Sequence, residues 1–133
     1  MLRYVFDTNI ITAILRKEEK TLKQLTIAHK NNAEFLLCPV VFYEICRGLR
    51  YRDAKRQLEF FLEYAQTLIW DDFNQADWEQ ASQIWANLRN IGYQIADADL
   101  VIAVFAINRQ AIVITDNEKH FEKIGVLIEN WRR

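Results

Sequence analysis

Glycine and proline are almost missing from this chain: three glycines and one proline in 133 residues. An all-β chain needs many tight turns, and the residues that make them are not here. Long helices joined by short connections are the alternative. Cysteine is scarce too. Cys38 and Cys46 stand eight apart, with no further cysteine and no metal-type spacing. That excludes a disulfide scaffold or a zinc ribbon and reads as two buried thiols in a reducing compartment. No apolar run approaches the length that spans a bilayer. The first apolar stretch is interrupted by Asp7 and Asn9, so it does not read as a signal peptide, and the expected location is the cytoplasm with no membrane partner. Nor is there an excess of one charge. The formal net charge is −1, so any attraction to a polyanion has to be local.

What the chain does contain is an ordinary globular mixture, 51% hydrophobic and 26% charged, long enough for one domain over residues 1–133 with its own core. Short apolar runs alternate with helical patterns. The runs Arg3–Phe6, Phe35–Cys38, Thr67–Trp70, Ala111–Ile114 and Val126–Ile128 are the expected strands. Between them, helical spacing covers Thr8 to about Arg16, Thr21 to the second strand, Val40–Leu49, Arg52–Gln66 and Asn74–Ile91, with Gly92 as the stop of the last. Thr21 and Gln24 have capping-box spacing, as do Thr115 and Glu118. Pro39 suits a first helical turn. From Ala96 to Asn108 nearly every side chain is apolar, and the length and alanines favour a buried helix over a strand. Residues 117–124 form a short helix or turn. The order β-α-α-β-α-α-β-α-α-β-α-β implies an α/β fold with a central parallel sheet of four to five strands and helices on both faces.

In such a sheet every strand's carboxyl end lies on one edge, where ligand sites form. Asp7 ends the first strand. Glu44 lies beside the apolar face of the helix after the second, where an unpaired carboxylate is costly. Asp97 and Asp99 open the apolar helix, and Asp116 and Asn117 follow the fourth strand. Carboxylates gathered at one edge repel unless a cation compensates them, and oxygen-only donors suit Mg²⁺ or Mn²⁺ rather than zinc. Each acid also has an ordinary structural role open to it. Asp7, Asp97, Asp99 and Asp116 could cap helices, and Glu44 could pair with Arg47 or Arg50.

The segments Asp7-Thr8-Asn9, Tyr43-Glu44 with Arg47-Gly48, Ile95-Ala96-Asp97-Ala98-Asp99-Leu100-Val101-Ile102-Ala103 and Ile114-Thr115-Asp116-Asn117 with Phe121 resemble the PIN-domain ribonucleases, and among them the VapC toxins of bacterial toxin–antitoxin pairs. The similarity runs through the closing Leu127-Ile128-Glu129-Asn130-Trp131. It implies a three-layer α/β/α fold and Mg²⁺-dependent hydrolysis of RNA phosphodiesters, with Mn²⁺ an alternative. The metal-binding acids fall on Asp7, Glu44 and Asp99, and the fourth polar corner on Asn117, with Asp116 adjacent. Asp97 becomes a neighbour of the site or a cap. Asn9 and Thr115 are placed to orient the carboxylates. The resemblance also implies a homodimer, and a VapB-type antitoxin that seats a segment in a groove and silences the site with an arginine near Asp7 or Asp99.

An acidic site that cuts a polyanion needs a basic approach. Arg47, Arg50, Arg52, Lys55 and Arg56 cluster beside Glu44 in sequence, with Tyr51 as a stacking surface. Arg16, Lys17, Lys20 and Lys23 read instead as a solvated helix face, and His29 and His120 as surface residues. Two rivals remain on the sequence. A phosphotransfer enzyme of the haloacid-dehalogenase type also carries an Asp after its first strand, but needs a second Asp two residues on, where this chain has Asn9. The other is a module of the same fold that binds RNA or protein without cleaving.

Overall fold

The computed structural model describes residues 1–133. Strands β1 (Arg3–Phe6), β2 (Glu34–Leu37), β3 (Ile69–Trp70), β4 (Ile112–Ile114) and β5 (Ile128–Glu129) form one sheet in the order β3-β2-β1-β4-β5. All four pairings are parallel, with Val5 in the centre paired to Leu36 on one side and Val113 on the other. Flanking the sheet are seven helices: α1 (Thr8–Leu15), α2 (Glu19–Lys30), α3 (Pro39–Tyr51), α4 (Lys55–Ala65), α5 (Gln75–Asn90), α6 (Asp97–Asn108) and α7 (Glu118–Phe121). The element order is the expected one, and the three-layer α/β/α class holds.

The strand order decides where a site can form. From β1 the chain builds outward through β2 to β3, then returns across the sheet to lay β4 on the other side of β1. The crevice beyond the carboxyl ends of β1 and β4 is therefore the switch point at which α/β sheets hold ligands. Asp7 follows one of these strands and Thr115 the other. The main core lies under this edge, a cluster of 27 buried residues that includes Val5, Phe6, Ile10, Ile102, Phe105 and Phe121. Within α6 every residue from Leu100 to Ala106 is buried, which accounts for a helix that is apolar all round.

Glycine scarcity has a visible consequence. Gly92, at φ +79°, closes α5 with the paired bonds Tyr93 N–H to Leu88 O and Gly92 N–H to Arg89 O, a Schellman motif. The same double bond closes α1, α2, α3 and α6, but there the left-handed residue is Lys17, Asn32, Asp53 or Gln110, with φ between 53° and 58°. Left-handed geometry in a residue with a Cβ costs roughly 1–2 kcal/mol. Four helix ends of this chain carry it.

Several expected boundaries move. Helix α2 begins at Glu19, with Glu18 at its N-cap and no side-chain capping bond. The Thr21–Gln24 box does not form, because Thr21 lies inside the helix, fully buried, with its hydroxyl unpartnered. The Thr115–Glu118 box is absent as well. Thr115 turns its hydroxyl to Asp7, and the Glu118 carboxylate accepts from Asn130 and pairs with Arg133. Strand β5 slides toward the C-terminus because Thr115 N–H donates to Glu129 O and Val113 N–H to Leu127 O. Of the two thiols, only Cys38 is fully buried, and that burial pushes it up to about 12. The box that does form is Asn74 with Asp77, at the start of α5.

Asp77 is also one half of a buried ion pair. Arg109, just past α6, donates from Nη2 to Asp77 Oδ2 at 2.9 Å and from Nε to Asp71 at 2.7 Å. It also donates to the carbonyls of Phe105 and Asp72, and its guanidinium lies 4.0 Å over the Phe105 ring. Asn108 Nδ2 donates to Asp77 Oδ1 at 2.6 Å. This one arginine ties the end of α6 to the start of α5 and to the segment leaving β3.

Candidate active site

Asp7 leaves β1 with its own N–H bonded to Ile114 O in β4 at 2.9 Å, and it caps α1. Its side chain is 4% exposed as a residue, and both oxygens are held. Thr8 N–H donates to Oδ1 at 2.7 Å; Thr115 Oγ1 donates to Oδ2 at 2.7 Å, joined by Asn9 Nδ2 at 3.3 Å. A second layer locks these donors. Asp116 N–H donates to Asn9 Oδ1, and Asn117 N–H to Thr115 Oγ1. The start of α1 and the loop after β4 are thus one hydrogen-bonded unit around a single carboxylate.

Two further acids face it. Glu44, in α3, accepts the Thr8 hydroxyl at 2.9 Å and meets Arg47 Nη2 at 3.6 Å. Asp99, in the first turn of α6, lies 3.0 Å from His120 Nδ1 through its Oδ2. Burial raises the Asp7 carboxyl above its ordinary range. Thr115 and Thr8 pull it down, and Asp99 and Glu44 push it up again. Asp99 is raised too, first by burial, then by Glu44, against the lowering effect of His120. The three acids feel one another, yet no three acids, histidines or cysteines form a closed metal cage. The donors of these three acids are carboxylate oxygens, which suit a hard cation such as Mg²⁺ better than structural zinc.

The other residues singled out in the sequence divide. The Asp116 carboxylate turns away to Asn130 Nδ2 and Arg132 Nη1, at 3.0 and 3.1 Å. Asn117 is exposed and bonded through its backbone, its N–H donating to Thr115 Oγ1 and its carbonyl accepting from His120 N–H. Asp97 makes no capping bond, since Ala96 holds the N-cap position. It opens instead onto an apolar groove of about 490 Å³ with Trp78 and Trp85. The basic cluster also splits. Arg47 lies over the Tyr43 ring beside Glu44. Arg52 enters a cleft with Glu44 and Thr8, whereas Arg50 and Lys55 line a separate groove with Asp53. Arg56 enters a further cleft, together with Lys17. Arg16, assigned above to a solvated face, lines the Glu44 cleft. His120 was missed as a neighbour of Asp99; no spacing in the sequence marks it, because the contact forms only where α7 folds back over the start of α6.

A doubly wound sheet with a fixed, nearly buried carboxylate at its switch point and two more acids around it has its candidate site where α/β folds hold ligands. The chain belongs to the PIN domain family, which matches residues 4–127. It is 29% identical to ribonuclease VapC2 of Rickettsia felis over 96% of this chain and 97% of that one. It is 25% identical to the tRNA(fMet)-specific endonuclease VapC of Shigella flexneri, over 98% and 99%. Among solved structures it superposes on a chain of the DNA-bound VapBC complex from Salmonella typhimurium with TM-score 0.85 at 26% identity, covering 98% of this chain and 99% of that one. For the VapBC2 complex from Rickettsia felis the TM-score is 0.84 at 25% identity, with the same coverage.

Proposed function

We propose that the protein is a Mg²⁺-dependent endoribonuclease, the toxin of a VapBC-type pair, working as one domain in the cytoplasm. The observation that carries the reading is Asp7. A carboxylate this buried, held on both oxygens and raised by two neighbouring acids, is poorly placed for stability and well placed for a cation. The relatives named ribonuclease or tRNA endonuclease support the same chemistry. Asp7 and Asp99 would hold the metal, with Glu44 bonded directly or through water, and Asn117 would supply the neutral fourth corner in preference to the engaged Asp116. When bound, the metal supplies a water of lowered pKa and neutralises charge developing on the phosphodiester.

The chain's own residues do the remaining work. Thr115, Asn9 and Thr8 fix the Asp7 carboxylate in one orientation, and Glu44, whose Oε1 accepts the Thr8 hydroxyl, can take a proton from an attacking water at Oε2, which only the longer 3.6 Å contact to Arg47 engages. A VapB-type antitoxin is the proposed partner, supported by the VapBC complexes among the structural relatives. Homodimerisation is proposed as well. The face with Trp78 and Trp85 supports it, because these two rings are 56% and 42% exposed and so large an apolar surface marks an interface. The test compares wild type with Asp7→Asn and Asp99→Asn on tRNA and rRNA, with Mg²⁺ or EDTA. Cleavage by wild type alone, and only with metal, is expected. Equal cleavage by the variants removes these acids from the mechanism. An intact wild type that binds RNA and never cuts it makes the protein a binding module.

A further inference from the structure

Two clefts run end to end along one side of α1, a seam it makes first with α3 and then with α4. The first, about 220 Å³, opens beside Thr8 and Glu44 and takes in Arg16, Arg52 and Gly48. The second, about 240 Å³, shares Leu15 and Gln57 with it and continues past Lys17, Arg56 and Phe60. Glu44 is the only acid lining either one, against four cations. None of those four side chains is in an ion pair, so each is available to an anion. At the cleft floor the Arg52 guanidinium lies beside Gly48, where an added Cβ would meet Nη1 at 3.6 Å, an ordinary contact. At the far end Phe60 is half exposed and stacked on Tyr64, with ring centres 6.5 Å apart.

We propose that this seam is the track for a single-stranded segment of the RNA substrate. One phosphate lies between Arg16 and Arg52, the next reaches Lys17 and Arg56, and a base stacks on Phe60, so that the strand enters the acid cluster past Thr8 and Glu44. The proposal rests on the ribonuclease reading and says which part of an RNA that site can take. Two arginines converging on one cleft match the paired oxygens of a phosphate. Clefts this narrow, ending on an aromatic face, admit a strand with splayed bases and not a stacked duplex.

The test uses the full chain carrying Asp7→Asn, so that bound RNA is not cut. Its affinity for a fluorescein-labelled single-stranded RNA is read by anisotropy between roughly 50 and 200 mM salt. Each phosphate contact on a single strand contributes about 0.7 to the slope of log affinity against log salt. Adding Arg16→Ala and Arg52→Ala, which removes the one phosphate contact they share, is expected to shallow the slope by about 0.7. Phe60→Ala is expected to weaken binding roughly tenfold with the slope unchanged. Lys30→Ala with Arg89→Ala removes the same charge far from the seam and leaves the slope as it was. An unshifted slope in the seam variant, an equal shift in the control, or equal affinity for a duplex of the same length overturns the proposal. Loss of antitoxin binding with RNA binding intact overturns it too, and makes the seam a protein seat. Wild-type cleavage separates the two readings: activity with an unshifted slope refutes the track alone, and a wild type that neither binds nor cuts RNA refutes both.

Discussion

Arg109→Leu should be among the most destabilising single changes available in this protein. The guanidinium is 9% exposed and its partner Asp77 3%, so the substitution leaves an ionised carboxylate inside the fold with only Asn108 Nδ2 and Asn74 N–H for company. Breaking a buried pair from one side costs about 3–5 kcal/mol. For a chain of this length that is a fall in Tm of roughly 10–18 °C. The pH dependence identifies the cause. Burial pushes the Asp77 carboxyl up, but Arg109, Asn108 and the Asn74 N–H outweigh it and hold it below its ordinary value of 3.8. A folded-state value below the unfolded one stabilises at pH above the unfolded value, and the gain is lost as pH falls through the folded value. The deficit of the variant is therefore full at neutral pH and shrinks once the pH drops below about 4. Asp77→Asn in the same chain removes the stranded charge and recovers part of the loss. Urea denaturation of the three proteins at pH 7 and in acid measures all of this. A deficit under about 1 kcal/mol at pH 7, or one that acid leaves unchanged, would falsify the account.

Other perturbations reach the site itself. Asp7→Asn should abolish RNA cleavage yet raise Tm in EDTA, because a folded-state pKa above the unfolded one means that ionised Asp7 costs stability at neutral pH. Thermal shifts with and without Mg²⁺ should show wild type gaining stability on adding the metal and the variant not; a variant less stable than wild type in EDTA refutes this. Thr115→Val removes a hydroxyl that lowers Asp7, so the acid limb of the pH–rate profile should move to higher pH, and an unmoved limb separates Thr115 from the chemistry. Gln110→Gly relieves a left-handed Cβ that costs about 1–2 kcal/mol, less the roughly 0.5–1 kcal/mol that glycine adds in unfolded entropy. A net gain of about 0.5–1 kcal/mol is expected, readable as a higher urea midpoint.

The topology was legible because each crossover carries its own signals. Alternation of apolar runs with helical spacing yielded the order of all twelve elements, and Gly92 and Pro39 stand where their backbone chemistry places them. Boundaries failed where a side chain found a distant partner. Thr21 and Thr115 have the local spacing of caps, but one is drawn into the core and the other to Asp7, 108 residues earlier in the chain. The same limit hid the ion pair of Asp77 with Arg109 and the contact of His120 with Asp99. Both join residues that only the folded sheet brings together. Acids set in apolar segments are conspicuous in sequence, but that marks Asp97 and Asp116 as readily as Asp7, Glu44 and Asp99, and only the family resemblance separated them. Which of Arg47, Arg50, Arg52 and Arg56 shares a cleft with Glu44 was not readable, since α3 ends at Tyr51 and the turn at Asp53 sends successive cations to different faces.

The central position of β1 sets an order of events during synthesis. The strand that leaves the ribosome first needs β4 as its neighbour, and Asp7 needs Thr115, so more than a hundred residues must emerge before the first acid of the site is fixed. Asp99 and its contact in α7 arrive in the same late stretch. A nascent chain therefore carries its acidic edge unassembled. If the site cuts RNA, the ribosome that makes the protein is spared by the order of the strands until the protein is nearly complete.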